Sequence, residues 1–227
     1  MSHPYNYVLT LALNDSAVWC DGILVFYEIF KFLEENVSSQ ILPMEIRRTE
    51  QFEADLEFFK GRDWQRTYKI REPVQSYLNH LYAIKEKNPL LLIAYVYHLY
   101  MGLLSGGQIL SKKRKLATKF MSSFREQKEV DDNVIEPGAA LTSFPNKSIL
   151  ELKNNFRQTI DDFTANFDEK LRRELIGESK KVFELNNTII NSVEGVGATL
   201  RRNFRNVVGY ALLVTLSVYL FIKMWHV

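Results

Sequence analysis

The segment that most constrains the fold is an almost wholly apolar helix in the middle of the chain. Asn88 followed by Pro89 is a strong helix start, because asparagine caps free backbone N–H groups and proline suits the first helical turn. The residues that follow read LLLIAYVYHLYMGLL and are apolar nearly all round. A helix of this kind needs partners on every side, so it is predicted to be central and buried.

Glycines interrupt this helix at Ser105-Gly106-Gly107. Two adjacent glycines inside a helix cost on the order of 1 kcal/mol each relative to alanine. Such a cost predicts a bend, or a backbone that something else approaches closely. A glycine-mediated crossing of two helices is the alternative, and the glycines taken alone favour it.

Helical periodicity dominates the chain around this segment, and β-type alternation is scarce. Asp15 and Ser16 are expected to cap a first helix. Its apolar residues recur at threes and fours and form one stripe, made of Trp19, Ile23, Phe26, Phe30 and Leu33. The sequence therefore predicts an all-α fold.

Prolines and glycines mark further predicted boundaries. The polar residues from about 122 to 143, which include Pro137-Gly138, are expected to form a flexible surface loop. The predicted helix boundaries are starts at Pro43, Pro73 and Asn146, an end at Gly61, and a break at Gly177-Glu178.

The C-terminal residues have a different composition, because Val207 to Ile222 contain no charge. Sixteen helical residues rise roughly 24 Å, slightly less than a hydrocarbon core, and Lys223 can lengthen the span by snorkelling to the interface. A buried core helix is the alternative, but it would be unusual as a final element. Three arginines between residues 201 and 205 precede the span, so the positive-inside rule keeps the body of the protein in the cytosol.

These features predict a tail-anchored protein, with a helical cytosolic domain at residues 1–200 and a basic flank with a single-pass membrane anchor at 201–227. The cytosolic face of the endoplasmic reticulum is the expected location. The single cysteine, Cys20, excludes an intramolecular disulfide and suits a reducing compartment. A net charge of +2 provides no overall field that would attract nucleic acid.

The glycine-rich helix also carries a family resemblance. Heme oxygenases have a distal helix of the form AYxxYLGxLSGGQxL, and the run from Ala94 to Leu110 is similar to it in register. The similarity extends from about Trp19 to Val193 and includes DLEFFKGRDWQ and VFELNN. On these residues the chain is identified as a member of the heme oxygenase family, of the tail-anchored animal type. The matching positions on the helix are Ala94, Tyr95, Tyr97, Tyr100, Gly102, Leu104, Ser105, Gly106, Gly107, Gln108 and Leu110.

The resemblance implies a reaction, the oxidative opening of heme to biliverdin with release of carbon monoxide and ferrous iron. Heme would be both the substrate and the cofactor that activates oxygen, and electrons would come from NADPH-cytochrome P450 reductase. The basic run from Lys112 to Lys115 is a candidate contact for an acidic reductase face, or only a solvated helix surface. The alternative is a non-catalytic or weakly heme-binding protein that keeps the fold and has lost turnover.

The resemblance also implies catalytic roles for three residues. Gly102 and Gly106 would bring the helix backbone close to the iron face of the heme, because they have no side chains. Asn186 would join the distal hydrogen-bond network, together with Tyr77.

Four further residues would hold the heme by the same resemblance. Tyr97, Lys153 and Arg157 match the positions that bind the propionates, and the two cations are spaced i, i+4 on one helix face. Phe183 matches a position that lines the pocket.

Three positions depart from the family pattern. Leu103 stands where the family has an aspartate that orders a proton-delivering water, Leu99 where an arginine often accompanies it, and Phe30 where a tyrosine joins the network. An apolar site cannot hold that water in the same way. We therefore expect slow turnover and a mixture of biliverdin isomers.

The iron ligand is the largest departure. The family's proximal histidine lies on a helix before the region that aligns with Met1, and a truncated form is the ordinary explanation. Among the four histidines, only His3 is near the correct place, about one and a half turns too late, so it is a weak metal candidate. His80 and His98 lie on other helices, and no secure metal ligand is predicted.

Overall fold

Helices supply the regular structure in the part of the chain that a computed structural model describes, namely residues 15–113, 138–145, 147–206 and 208. No strand occurs in these residues, which confirms the predicted all-α class. Short 3₁₀ turns occupy Met44–Ile46, Pro89–Leu91 and Ala140–Thr142. The α-helices are α1 Ser16–Asn36, α2 Thr49–Lys60, α3 Trp64–Thr67, α4 Glu72–Lys87, α5 Leu92–Gly102, α6 Ile149–Thr164 and α7 Glu169–Asn191.

Helix α1 forms as its sequence predicts. The Asp15 carboxylate accepts hydrogen bonds from the backbone N–H groups of Ala17 at 2.8 Å and Val18 at 3.2 Å, so the predicted N-cap is confirmed. The apolar stripe is buried apart from the partly exposed Phe26, and α1 packs against α2, α4, α5 and α7. Burying each large apolar side chain of this kind contributes about 1.5–3 kcal/mol, which makes α1 one side of the core.

Helix α5 is the central helix, as predicted. The Asn88 side chain accepts a hydrogen bond from the Leu90 N–H at 3.1 Å, and residues 91–96 are all buried. The stretch Pro89–Lys113 is long and apolar enough to cross a membrane by length and composition, but half of its most apolar window is buried inside the fold. Contacts with α1, α4, α6 and α7 place it in the core of the domain.

The glycine pair changes the winding of this helix. Leu103–Gly107 forms a π-helical segment, and the regular helix resumes at residues 108–113. Segments of this kind are rare and are frequently found at functional sites. The predicted irregularity therefore takes the form of a wide turn, which contacts α6 and the Ala140–Thr142 turn.

The predicted start of α2 at Pro43 is wrong by six residues. Helix α2 begins at Thr49, and only a 3₁₀ turn follows Pro43. The Glu34 carboxylate of α1 accepts hydrogen bonds from the backbone N–H groups of Arg48 and Thr49, so a distant side chain caps this helix. The Gly61 end is confirmed, with φ at 88°.

The predicted break at Gly177-Glu178 is also wrong, because α7 runs without interruption from Glu169 to Asn191. The Glu178 carboxylate accepts a hydrogen bond from the Tyr95 hydroxyl at 2.6 Å and lies 3.0 Å from Nε2 of His80. These tertiary contacts outweigh the cost of about 1 kcal/mol that a helical glycine carries.

The end of the predicted flexible loop is held against the core. The Asp55 carboxylate accepts hydrogen bonds from the backbone N–H groups of Ala140 at 2.8 Å and Leu141 at 3.0 Å. Leu141 and Thr142 are buried. The prediction of a surface loop therefore does not hold for residues 138–143, and residues 122–137 lie outside the described part of the chain.

Two other predictions concern residues that the structure does not describe. Helix α6 has Ser148 as its N-cap, which accepts a hydrogen bond from the Glu151 N–H at 3.4 Å, and Asn146 lies outside the described residues. The predicted anchor from 207 to 222 also lies outside them, apart from residue 208. Residues 196–206, just before it, are helical.

Candidate functional site

A cavity of about 310 Å³ lies between α1 and a wall formed by the end of α5 together with the π-helical segment Leu103–Gly107, here called the α5 wall. Its volume falls at the lower end of the range of about 300–1,000 Å³ that is usual for small-molecule sites. Helices α1, α5 and α7 supply three walls, and the Ala140–Thr142 turn supplies part of a fourth. The end of the predicted loop is therefore part of the site.

The α1 wall is made of the apolar stripe. Trp19, Ile23, Phe26 and Phe30 follow one another at intervals of three and four residues and all face the cavity. Phe26 is partly exposed and the other three are buried. This wall is a continuous hydrophobic surface suited to a flat apolar ligand.

The α5 wall carries three residues at intervals of four, His98, Gly102 and Gly106. A Cβ atom added at Gly102 or Gly106 would meet no heavy atom within 4 Å, so the cavity is open directly over the helix backbone. Gly107 differs, because a Cβ there would lie 3.0 Å from Cδ1 of Leu103. Gly102 and Gly106 therefore leave space for a ligand, whereas the missing side chain at Gly107 makes room for the side chain of Leu103 in the same segment.

Polar side chains are few in this cavity. Asn186 of α7 lines it, and its Oδ1 accepts a hydrogen bond at 3.1 Å from the hydroxyl of Tyr77. Tyr77 is fully buried, and burial raises its pKa well above the ordinary value, so it remains a hydrogen-bond donor. The predicted partnership of these two residues is present, and it fixes the Asn186 amide at the cavity wall.

His98 is the titratable side chain of the α5 wall. Its ring is half-buried and packs edge-on against Phe183, with ring centroids 5.0 Å apart. Its nitrogens are not among the buried side-chain atoms that lack a hydrogen-bond partner in the described part of the chain. Burial lowers the pKa of the His98 imidazole below its usual value of about 6.5, so the ring is neutral at pH 7.

None of the predicted propionate-binding residues is among the described residues that line the cavity. Tyr97 is half-buried, and its ring centroid is 6.2 Å from that of Phe156. Lys153 is half-buried and Arg157 is exposed, one turn apart on α6. Phe183 is 57% exposed and reaches the site through its contact with the His98 ring.

The departures from the family pattern all face the site. Phe30, Leu99 and Leu103 each line the cavity. Phe30 and Leu99 are buried, and the Phe30 ring lies 4.9 Å from the rings of both Phe52 and Tyr100. The part of the cavity that these three residues form therefore offers no hydrogen bond from a side chain. His3, the weak metal candidate, lies outside the described residues.

Known proteins identify this architecture. The sequence profile described as Heme oxygenase matches residues 12–192, most of the chain. The chain belongs to the heme oxygenase family. It is 30% identical over 161 residues to heme oxygenase 2 of Macaca fascicularis and 29% identical over 171 residues to heme oxygenase 1 of Synechocystis sp..

The coverage of these relatives is uneven. The matches include 70% and 74% of this chain, but only 46% of the Macaca protein and 64% of the Synechocystis protein. The fold is also that of a solved heme oxygenase-1 from Synechocystis in complex with heme, with a TM-score of 0.65 over 94% of this chain and 90% of that one, at 24% identity. The heme oxygenase fold of the described residues is therefore established.

The residues around the cavity fit a heme. Heme is a flat apolar ring with two carboxylates on one edge, and the cavity has an apolar wall on α1 and open backbone at Gly102 and Gly106 on α5. Lys153 and Arg157 are one turn apart on α6, and neither is among the described residues of the cavity wall. The cavity thus supplies apolar surfaces for the ring itself.

Three residues that line this site were not predicted from the sequence. His98 was assigned to another helix from the family's iron ligand and given no role, although its four-residue spacing from Gly102 and Gly106 puts all three on one helix face. Leu141 and Thr142 were placed in a flexible loop, and no local pattern links them to Asp55, more than 80 residues earlier.

Proposed function

We propose that this chain is a heme oxygenase, which binds heme between α1 and α5 and opens it to biliverdin with release of carbon monoxide and ferrous iron. The observation that carries the proposal is the open space over Gly102 and Gly106, opposite a continuous apolar wall. A flat ring can lie there in contact with helix backbone on one face. Helical glycines with no packing role in their own helix are otherwise costly.

Bound heme supplies the iron at which oxygen is activated. The chain's own contribution begins with exclusion of water, because Trp19, Ile23 and Phe26 cover one face of the cavity with hydrocarbon. Asn186, held by Tyr77, presents its amide to the same space and can donate a hydrogen bond. Leu103 cannot donate or accept one, so the site has fewer proton-carrying groups than the family pattern.

Orientation of the ring falls to the residues beside the cavity. Lys153 and Arg157 can hold two carboxylates from one face of α6, and the Tyr97 hydroxyl can donate to one of them. This seating decides which bridging carbon is exposed to attack.

Electrons come from an NADPH-cytochrome P450 reductase on the same membrane in this proposal. Lys112 and Lys113 are exposed at the end of the helix that follows the π-helical segment, and they can meet an acidic partner surface. The uncharged run from 207 to 222 would place the protein on the cytosolic face of the endoplasmic reticulum as a single-pass tail anchor.

A hemin titration followed by turnover tests the proposal. The full chain in detergent is titrated with hemin, then mixed with NADPH and cytochrome P450 reductase, and the bilin is identified by chromatography. A Soret band that converts to biliverdin only when reductase is present is expected. A chain that takes up no heme contradicts the proposal.

The second candidate function is a heme-binding protein without turnover. It is favoured by one observation, that Phe30, Leu99 and Leu103 make one end of the cavity wholly apolar. A stable Soret band that persists through prolonged reduction, with no bilin formed, would support this function over the first.

A further inference from the structure

The Ala140–Thr142 turn forms part of the cavity wall and is held between two other elements. Leu141 and Thr142 are buried and line the cavity. The turn contacts α2 on one side and the π-helical segment Leu103–Gly107 on the other. A 3₁₀ turn of three residues has little hydrogen bonding of its own, so its position depends on the side chains that these two elements supply.

Asp55 holds the turn from α2. This residue is 1% exposed, and its two carboxylate oxygens accept hydrogen bonds from the backbone N–H groups of Ala140 at 2.8 Å and Leu141 at 3.0 Å. A carboxylate buried this deeply is costly unless hydrogen bonds replace those it made with water. Because the two oxygens bind the N–H groups of consecutive residues, they fix both the position and the orientation of the turn.

The same side of the domain fixes the two ends of the turn. Gly138 has φ at 77°, and a Cβ atom there would lie 2.4 Å from Cζ of Phe59, so the chain enters the turn in direct contact with α2. Beyond the turn, Nη1 of Arg48 donates a hydrogen bond to the Ser143 carbonyl at 2.9 Å, and its guanidinium lies 3.6 Å from the centroid of the Phe144 ring. The chain is therefore held before, within and after the turn.

Gln108 holds the turn from the other side. It follows the π-helical segment directly, and its Nε2 donates a hydrogen bond to the Thr142 carbonyl at 2.8 Å. A Cβ atom added at Gly107 would lie 3.0 Å from Cδ1 of Leu103 and 3.7 Å from Cγ2 of Thr142, so these two side chains approach the same point. The turn thus meets the cavity at its apolar end, beside Leu103.

Contact is the means by which this end of the cavity can orient a ring. Phe30, Leu99 and Leu103 supply no hydrogen-bonding side chain there, and the Thr142 hydroxyl donates to the Ala139 carbonyl at 3.4 Å within its own turn. A wall that yields admits a larger ring edge, whereas a wall fixed on two sides excludes it. In a hydrophobic pocket, one methylene group changes discrimination by about 10- to 200-fold.

We propose that the Ala140–Thr142 turn is a steric stop for one edge of the heme, and that Asp55 and Gln108 are the positioning residues that keep this stop rigid. The proposal rests on the proposed binding of heme in this cavity. Neither Asp55 nor Gln108 is among the described residues that line the cavity, so each acts through the turn. The stop limits which bridging carbon of the ring can lie at the Leu103 end.

Hemins that carry one methyl group on a bridging carbon test the stop without turnover. The ring has four such carbons, and the four isomers place the added bulk at four different edges. The full chain in detergent is titrated with hemin and with each isomer while tryptophan fluorescence is followed, because Trp19 lines the cavity and is quenched by bound heme. The ratio of affinities between the tightest and the weakest isomer measures the steric discrimination.

Three variants change the stop and one is a control. Asp55→Asn removes one of the two acceptors, Gln108→Met removes the donor to Thr142 at similar length, and Leu141→Ala shortens the stop itself. The control is Lys147→Gln, which breaks the 2.7 Å ion pair with Glu45 in the same connection. Lys147 is not among the described residues of the cavity wall.

The unaltered chain is expected to bind the four isomers with affinities that differ by about tenfold or more. In each of the three variants the ratio should fall toward one, because the wall then yields or is shorter, and Lys147→Gln should keep the original ratio. A general loss of stability would weaken binding of all four isomers alike and leave their ratio unchanged, so the ratio separates positioning from folding.

Four outcomes would overturn the proposal. Equal affinities for the isomers in the unaltered chain, with plain hemin bound, show that no stop exists and leave heme binding intact. Unequal affinities that persist in Leu141→Ala place the stop elsewhere. A ratio that falls in Leu141→Ala but not in Asp55→Asn or Gln108→Met contradicts the positioning roles, and Gln108→Met decides alone if Asp55→Asn does not fold. Absence of quenching by hemin in the unaltered chain contradicts heme binding itself.

Discussion

The two ends of α5 differ sharply along one face of the helix. At the N-terminal end, Tyr95 is fully buried, and its hydroxyl donates a 2.6 Å hydrogen bond to Glu178 of α7 with His80 of α4 close by. At the C-terminal end, His98 lines the cavity, and Gly102 has open space above it. The polar groups at the N-terminal end are paired within the protein, whereas the C-terminal end faces the cavity.

This difference separates stability from binding within a single helix. Buried polar groups cost free energy unless they are paired, so the network of Tyr95, His80 and Glu178 is what a folded domain needs. The His98 ring packs against Tyr97 and Phe183 and otherwise faces the cavity, and Gly102 leaves open space beside it. The C-terminal end of α5 therefore has the properties of a ligand site, and the N-terminal end those of a scaffold that holds it in place.

The largest effect on heme affinity is expected from filling the space over Gly102, at the C-terminal end of α5. Gly102→Leu adds a side chain where no atom lies within 4 Å of the Cβ position, and it should leave the fold intact because leucine is a better helix former than glycine. Overpacking against a ligand costs about 1–3 kcal/mol, so heme affinity should fall by about tenfold to a hundredfold. Tryptophan quenching during a hemin titration measures it.

Gly177→Leu is the matched control for this variant. Gly177 lies in the middle of α7, is exposed, and also has no heavy atom within 4 Å of its Cβ position. It is not among the residues that line the cavity. Equal losses of heme affinity in the two variants would show that the space over Gly102 is not where heme binds.

The fold could be predicted from the sequence wherever the decisive interactions are local. The Asp15 cap, the Asn88-Pro89 start and the irregular turn at Gly106-Gly107 each follow from residues within one helical turn of the feature. The start of α2 could not, because the side chain that caps it is Glu34, on another helix.

The site could be predicted only in part for the same reason. Gly102, Gly106 and Asn186 were named from the family pattern, and all three line the cavity. Phe183 and Tyr97 lie near it through ring contacts with His98 rather than in its wall. The contact between His98 and Phe183 joins two helices, and a sequence does not display it.

A smaller effect is expected from adding a carboxylate to the apolar end. Leu103→Asp should raise bilin formation by about tenfold, since a positioned proton donor contributes that much or more and Asn186 and Tyr77 are already in place. The rate of biliverdin formation with saturating reductase is the measurement. Leu103→Asn is the control, because it is similar in shape and cannot carry a proton to the reaction. A gain in the asparagine variant equal to that in the aspartate variant would show that ionisation is irrelevant.

A substitution at the N-terminal end of α5 should change the stability of the fold and not its affinity for heme. Tyr95→Phe removes the hydroxyl that donates to Glu178, and the free energy of unfolding should fall by about 0.5–1.5 kcal/mol. Heme affinity should stay within about twofold, because Tyr95 does not line the cavity. Urea unfolding measures the first quantity and a hemin titration the second. Tyr82→Phe, at an exposed position of α4, should change neither, and a loss of heme affinity in Tyr95→Phe would show that the two ends of α5 are coupled.

The smallest expected effect is a pH dependence of the free energy of unfolding that originates at His98. Burial lowers the pKa of His98 in the folded protein, so the unfolded chain binds this proton more readily than the folded one. Above a pH of about 6.5, which is the pKa of histidine in the unfolded chain, the ring is neutral in both states and the free energy of unfolding is at its full value. As the pH falls from there toward the lower pKa of the folded state, the unfolded chain takes up the proton first, so the free energy of unfolding decreases. Urea unfolding of the heme-free protein at several pH values between 7.5 and 5 should show a smaller loss of stability on acidification in His98→Gln than in the unaltered chain. Comparing the two proteins cancels the contribution of every other titrating group. Curves that stay parallel throughout this range would mean that the His98 ring is as well solvated in the folded protein as in the unfolded chain, and that the open end of α5 is wetter than its apolar walls imply.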